Sequence, residues 1–186
     1  MRADAKKNYD HLLATAREAF IEQGAEVSLR DIARRAEVGL GTLYRHFPTR
    51  EDLLEALLRS SFDALSTRAR TLQEVEDAGT ALLEWLQEII AFTHTHRGVI
   101  APMLGAIEAP ESALHASCVM LRASGAALLE RAQAQGRARM ELDGAMLFDL
   151  IAALAWLREQ PSHASRADQL LTFISNSIMR APQEGP

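Results

Sequence analysis

Two short helical patterns, joined at a glycine and closed by a proline, constrain this chain more than any other feature. The first, "LRDIARRAEV" after Ser28, puts Leu29, Ile32, Ala33 and Ala36 on one face. Ser28 suits its N-cap, with Asp31 three residues on as a variant of the capping box. Ala33 and Ala36 are small, so another helix can approach closely there. Gly39 interrupts the pattern, and "LGTLYRHF" follows until Pro48 stops it. On a helical wheel Leu43 and Phe47 fall within about 40° of each other and must face a core. Gly41, Thr42, Tyr44 and Arg45 then spread over the other side. Two short helices joined by three or four residues around a glycine have the spacing of a helix-turn-helix.

The remainder also reads as helix. Residues 6–23 carry Leu13, Ala16 and Phe20 at helical spacing, with Leu12 and Ala19 beside them and Gly24 as a C′ residue. Thr49 can cap a long helix over 50–72, with Asp52 three residues on and a stripe of Leu53, Leu54, Leu57, Leu58, Phe62 and Leu65. "QEVEDAGT" reads as a loop before a helix over 79–96. Gly98, Pro102, Gly105 and Pro110 break the next stretch into short pieces. A long helix over 111–135 ends at Gly136, Asp143 can cap another to 159, and 164–180 makes the last. No strand-type alternation and no internal repeat is visible. The expectation is an all-α chain of about nine helices. Residues 1–48 form a three-helix domain, 49–180 a helical bundle, and 181–186 a flexible tail.

Composition matters at three points. Ala and Leu dominate while β-branched and aromatic residues are scarce, which favours helices. The one cysteine, Cys118, rules out an internal disulfide and fits a reducing cytoplasm. The N-terminus has no apolar segment of the signal-peptide kind, and no apolar run approaches the roughly 20 residues that span a bilayer. The net charge of −5 argues against nucleic acid as a sum but not as a distribution. Nine Lys/Arg against seven Asp/Glu leave +2 over residues 1–50; eleven against eighteen leave −7 over 51–186.

The short third helix therefore offers a small residue, a hydroxyl, a phenol and a guanidinium on its outer side. Gly41 removes bulk, so the helix can sit close to a groove. Thr42 and Tyr44 can donate to phosphate oxygens, and so can His46 and Arg50. Phosphate contacts set register, and base-edge contacts supply specificity. Arg30, near the start of the second helix, suits a base edge or a phosphate.

"SLRDIARRAEVGLGTLYRHFPTREDLLEALL" closely resembles the DNA-binding domain of TetR-family transcriptional regulators. The resemblance covers about residues 8–58 and is sharpest at "TLYRHF" followed by "TREDLL". The C-terminal part more loosely resembles the subgroup with SbtR-like ligand domains. The resemblance implies a homodimer that binds double-stranded operator DNA and represses, released when a small molecule enters the C-terminal domain. By position it implies that Arg30, Leu40, Gly41 and Tyr44 face bases. It also implies that Ser28, Thr42, Tyr44, His46 and Arg50 face phosphates. Many members carry a polar residue or a cation where Gly39 and Leu40 stand. Thymine-methyl contact by Leu40, or DNA shape, then carries more of the specificity. The implied regulator is no enzyme, needs no cofactor or metal, touches no membrane, and is cytoplasmic and nucleoid-associated when bound to DNA.

The second half is less specific. Trp85, Ile89, Phe92, Thr93, His96, Met103, Met120 and Leu121 are the candidate lining of a largely apolar ligand pocket, Met being suited to adaptable cavities. Apolar residues at helical spacing are equally the signature of packing. His94 and His96 would point about 200° apart on a helix and cannot share a metal. His94 is expected to be exposed and His96 to project inward, as a core or helix-end histidine or as a ligand contact. The last two helices are apolar over much of their surface, through Leu147, Leu150, Ile151 and Leu154, then Leu170, Leu171, Phe173, Ile174 and Ile178. Such helices must be covered on two sides, most simply by a second copy of the same pair across a two-fold axis. Two other classes compete: a helical-bundle metal- or cofactor-binding enzyme or carrier using His94, His96 and Cys118, and a structural protein that coats DNA.

Overall fold

The computed structural model describes residues 2–24, 27–96, 99–100, 103–160, 162 and 164–180. The side chains of 2–5, 94, 158, 159, 164, 165, 167, 168 and 171 are outside this description, as are the expected tail over 181–186 and the side chain of His94. Nine helices are present among the described residues: α1 (Arg2–Gln23), α2 (Leu29–Arg35), α3 (Leu40–His46), α4 (Arg50–Leu72), α5 (Ala78–Thr95), α6 (Leu104–Glu108), α7 (Ala113–Ala134), α8 (Gly144–Glu159) and α9 (Ala164–Ile178). None of them is long and apolar enough to cross a membrane. The chain divides into two compact units, residues 1–61 with 95–116, and residues 62–94 with 117–186.

The first unit contains α1 to α3 and the start of α4. Its core is the stripe expected from periodicity: Leu12, Ala16, Ala19 and Phe20 of α1, Ile32 and Ala33 of α2, Leu43 of α3, and Leu53, Leu54 and Leu57 of α4. α2 packs against both α1 and α3. The caps fall where the sequence places them. The Asp31 N–H donates to Ser28 Oγ over 3.0 Å. At α4 the exchange is reciprocal. The Asp52 N–H donates to Thr49 Oγ1 over 3.1 Å, and the Thr49 N–H donates to Asp52 Oδ2 over 2.9 Å. One turn differs from expectation. Gly39 marks the α2–α3 junction in the sequence, yet its φ is −65°, an ordinary N-cap value. The left-handed residue is Glu37, at φ 54°. The Val38 N–H donates to the Ala33 carbonyl over 3.0 Å and the Glu37 N–H to Arg34, which closes α2 around this glutamate.

The second unit holds the rest of α4, most of α5 and α7, and α8 with α9. Asp77, read as part of a loop, is the device that starts α5. Its carboxylate accepts from the Gly79 N–H at 2.9 Å and the Thr80 hydroxyl at 3.0 Å, and pairs with Arg137 at 3.0 Å. Gly136, at φ 68°, ends α7 as expected. Asp143 caps α8 by accepting from the Met146 N–H at 2.7 Å. At the end of α9, the Arg180 N–H donates to the Arg137 carbonyl over 2.9 Å and the Arg139 N–H to Ile178 over 3.0 Å. α8 and α9 pack together. At the centre lies Trp85, fully buried, its Nε1–H donating to the Leu65 carbonyl at 3.1 Å and its ring edge-on to Phe148 at 5.9 Å.

Candidate nucleic-acid interface

α3 has only seven residues, too few for a helix to persist alone in water. It is held by its buried side: Leu43 is 0% exposed and Phe47, just past the helix, 2%. Phe47 also stacks against Tyr9 of α1, with centroids 5.0 Å apart. Everything else on α3 is turned out by that anchorage. Gly41, Tyr44 and Arg45 are exposed, while Leu40, Thr42 and His46 are half-buried. Tyr44 retains 45% of its surface in water. A Cβ at Gly41 would meet nothing within 4 Å. The His46 ring leans on Tyr9, with centroids 5.9 Å apart in an edge-to-face arrangement.

The expected DNA-facing residues fall into two groups. Leu40, Gly41, Thr42, Tyr44 and His46 lie together on α3, and Arg30 is exposed on α2. Ser28 and Arg50 are engaged within the protein. The Ser28 hydroxyl donates its one proton to Asp31 Oδ2 at 2.7 Å and accepts from the Asp31 N–H. That hydroxyl, with the Arg34 guanidinium beyond it, holds the Asp31 carboxyl below the usual carboxylate range. Arg50 donates to the Val27 carbonyl at 2.7 Å and stacks over the Phe20 ring at 5.3 Å. It ties the start of α4 to the α1–α2 connection. Sequence pattern gives an arginine's position but not whether its fork is already occupied. Neighbouring cations are occupied too: Arg34 by Asp31 at 3.0 Å and Arg35 by Glu22 at 2.6 Å. Arg45, omitted from the expected set, is exposed on α3. Its place on the outer side of the helical wheel is the signal for it.

The expected pocket residues are divided between the two units. His96 and Met103 belong to the first unit, and both are buried. The His96 carbonyl accepts from the Val99 N–H at 3.0 Å, just beyond α5. Trp85, Ile89 and Leu121 are buried in the second unit; Phe92 and Thr93 are half-buried there. The Thr93 hydroxyl is spent on the Ile90 carbonyl at 2.8 Å. Met120 is 54% exposed on α7. The space around Trp85 is filled: a Cβ at Gly125 would lie 2.4 Å from its ring. An apolar concavity of about 360 Å³ lies on α8 and α9, lined by Met146, Leu150, Phe173, Ile174 and Ile178 among others. These side chains belong to the face expected to meet a second copy. Among the described residues, no group of three His, Cys, Asp or Glu is placed to hold a metal ion.

Comparison with known proteins agrees with this geometry. Residues 12–57 match the model of bacterial regulatory proteins of the tetR family. Residues 77–176 match that of the SbtR-like transcriptional regulator C-terminal domain. A TetR transcriptional regulator from Streptomyces coelicolor has the same fold, with a TM-score of 0.73 and 28% identity over 93% of this chain and 99% of that one. A TetR regulatory protein from Mycobacterium vanbaalenii gives 0.72 and 28% over 96% and 99%. An HTH-type transcriptional regulator of Staphylococcus aureus (strain MRSA252) is 29% identical over 102 residues, 54% of this chain and 55% of the relative. The chain thus spans about half the length of the curated relatives it matches. With family models matching residues 12–57 and 77–176, the chain belongs to the TetR family of transcriptional regulators.

Proposed function

We propose that the protein is a DNA-binding repressor, bound as a homodimer to a near-palindromic operator and released by a small, largely apolar ligand. The observation that carries this reading is α3 itself: a seven-residue helix pinned by Leu43 and Phe47, with Gly41, Tyr44 and Arg45 outward. An exposed phenol and guanidinium, with a half-buried hydroxyl on the same short helix, suit phosphates and base edges in a major groove. On this reading Arg30, Leu40, Gly41, Thr42, Tyr44 and His46 meet DNA, and Ser28 and Arg50 brace the elements that carry them. The reading assigns the chain no reaction and places it in the cytoplasm, on the nucleoid when bound.

Selection of bound sequences from a random duplex pool, at fixed salt, tests the proposal. The expected result is a two-fold symmetric consensus, because a symmetric dimer presents two copies of α3. Recovery of sequences with no consensus overturns it.

The dimer reading is supported by what α8 and α9 leave in water. Met146 and Trp156 of α8 and Leu170 and Phe173 of α9 are all exposed, Phe173 by 71%. An apolar patch of this kind on a soluble chain marks an interaction surface. Phe173→Asp is expected to shift the protein from dimer to monomer in sedimentation at micromolar concentration, while its helical signal is kept. A variant that sediments as the wild type does puts the interface elsewhere.

A further inference from the structure

We propose that Arg45 reads a guanine in each operator half-site and that Gly41 clears its path. This inference rests on the DNA-binding reading above. It starts from which guanidinium groups are still available. In the first unit Arg17 donates to Ser60 at 3.1 Å, Arg34 and Arg35 are held by Asp31 and Glu22, and Arg50 by the Val27 carbonyl. Arg30, Arg45 and Arg59 take part in no described hydrogen bond or ion pair, and Arg45 is the one carried on the outer flank of α3.

The chemistry of that flank singles it out. The Thr42 hydroxyl and the Tyr44 phenol each have a single proton to donate. Leu40 and Gly41 offer none. A guanine edge in the major groove presents two adjacent acceptors, O6 and N7, and the planar fork of arginine matches both at once. Arg45 is the only α3 side chain with that geometry.

Its position favours a base edge. Helical side chains lean toward the helix N-terminus, so residue 45 projects over residue 41, one turn earlier. Residue 41 is a glycine, and even a Cβ there would touch no protein atom within 4 Å. The fold gives no packing reason for glycine at this place, and its φ is not in the left-handed region. The consequence lies outside the protein. Without a side chain at 41 the backbone of α3 can approach the groove floor, and the Arg45 fork has open space to extend along it.

The test repeats the random-duplex selection with Arg45→Ala and Gly41→Leu, and measures salt dependence beside it. Both positions are exposed, so both variants are expected to fold, and melting curves check this. For Arg45→Ala the expected result is loss of preference at one G·C pair, symmetric in the two half-sites. Discrimination there should fall about 5- to 150-fold, with the rest of the consensus kept. Gly41→Leu should blur the same pair. Uniform weakening across all sequences, with the salt slope reduced by about one, would make Arg45 a phosphate contact and overturn the inference. Loss of preference at an A·T pair overturns it equally. If the wild-type protein itself selects no consensus, the DNA-binding reading fails, an outcome distinct from either of these.

Discussion

Trp85→Ala is expected to lower the free energy of unfolding by about 3–5 kcal/mol, among the largest losses a single truncation produces. Three observations set that size. The indole is fully buried, its N–H is spent on the Leu65 carbonyl, and its edge is met by Phe148. Against a total stability of about 5–15 kcal/mol, the loss takes a large share of what holds the domain together. Urea denaturation reads it as a lowered midpoint at unchanged slope. A cost below about 1 kcal/mol would mean that the ring lines open space after all. Gly125 supplies an independent check on the same contact. A Cβ added there would lie 2.4 and 2.8 Å from two Trp85 ring atoms and 3.0 Å from Phe148. Gly125→Ala should therefore destabilise the wild-type protein despite the roughly 1 kcal/mol by which alanine is the better helix former. In the Trp85→Ala background two of the three close approaches are gone, and the same change should become neutral or stabilising. The coupling between the two sites measures the packing directly.

Trp85 also shows where sequence reading stops. Periodicity reports that a residue lies on an apolar face; it does not report whether the space opposite is filled. Trp85 lies in chain order 40 residues from the glycine that makes room for it, and nothing local announces that pairing. Met120 meets the same limit, since α7 is apolar on so many sides that the wheel does not say which one faces water. Local devices were legible because their partners are local. Ser28 with Asp31, Thr49 with Asp52, and Asp143 before α8 are caps whose donor and acceptor sit within three residues. Asp77 was missed although its capping partners Gly79 and Thr80 are equally local, because it stands in a polar run that reads as loop up to Gly79. At the candidate site the outer flank of α3 was legible from Leu43 and Phe47 alone. What was not legible was occupancy: Ser28 and Arg50 have the right chemistry for phosphate, yet each is already bonded inside the protein.

Leu43→Ala carries the second large effect and separates anchorage from contact within a single helix. Leu43 has no exposed surface, and its truncation is expected to cost about 2–5 kcal/mol. The seven residues of α3 cannot stay helical without tertiary support, so the loss falls first on the element that carries the outward side chains. Operator affinity then drops because the competent conformation is less populated. The adjacent Tyr44→Ala removes an exposed phenol and should move stability by no more than about 0.5 kcal/mol. Its cost appears in binding, about tenfold or more for a hydrogen bond lost to a charged phosphate. An excluded osmolyte distinguishes the two routes, because it favours the folded state without touching the contact. Sucrose should restore much of the operator affinity of Leu43→Ala and none of that lost by Tyr44→Ala. If Leu43→Ala instead leaves stability unchanged, α3 is not fixed by its buried side. Tyr44 and Arg45 then have no set direction in which to meet a groove, and the case for DNA recognition by this face loses its physical basis.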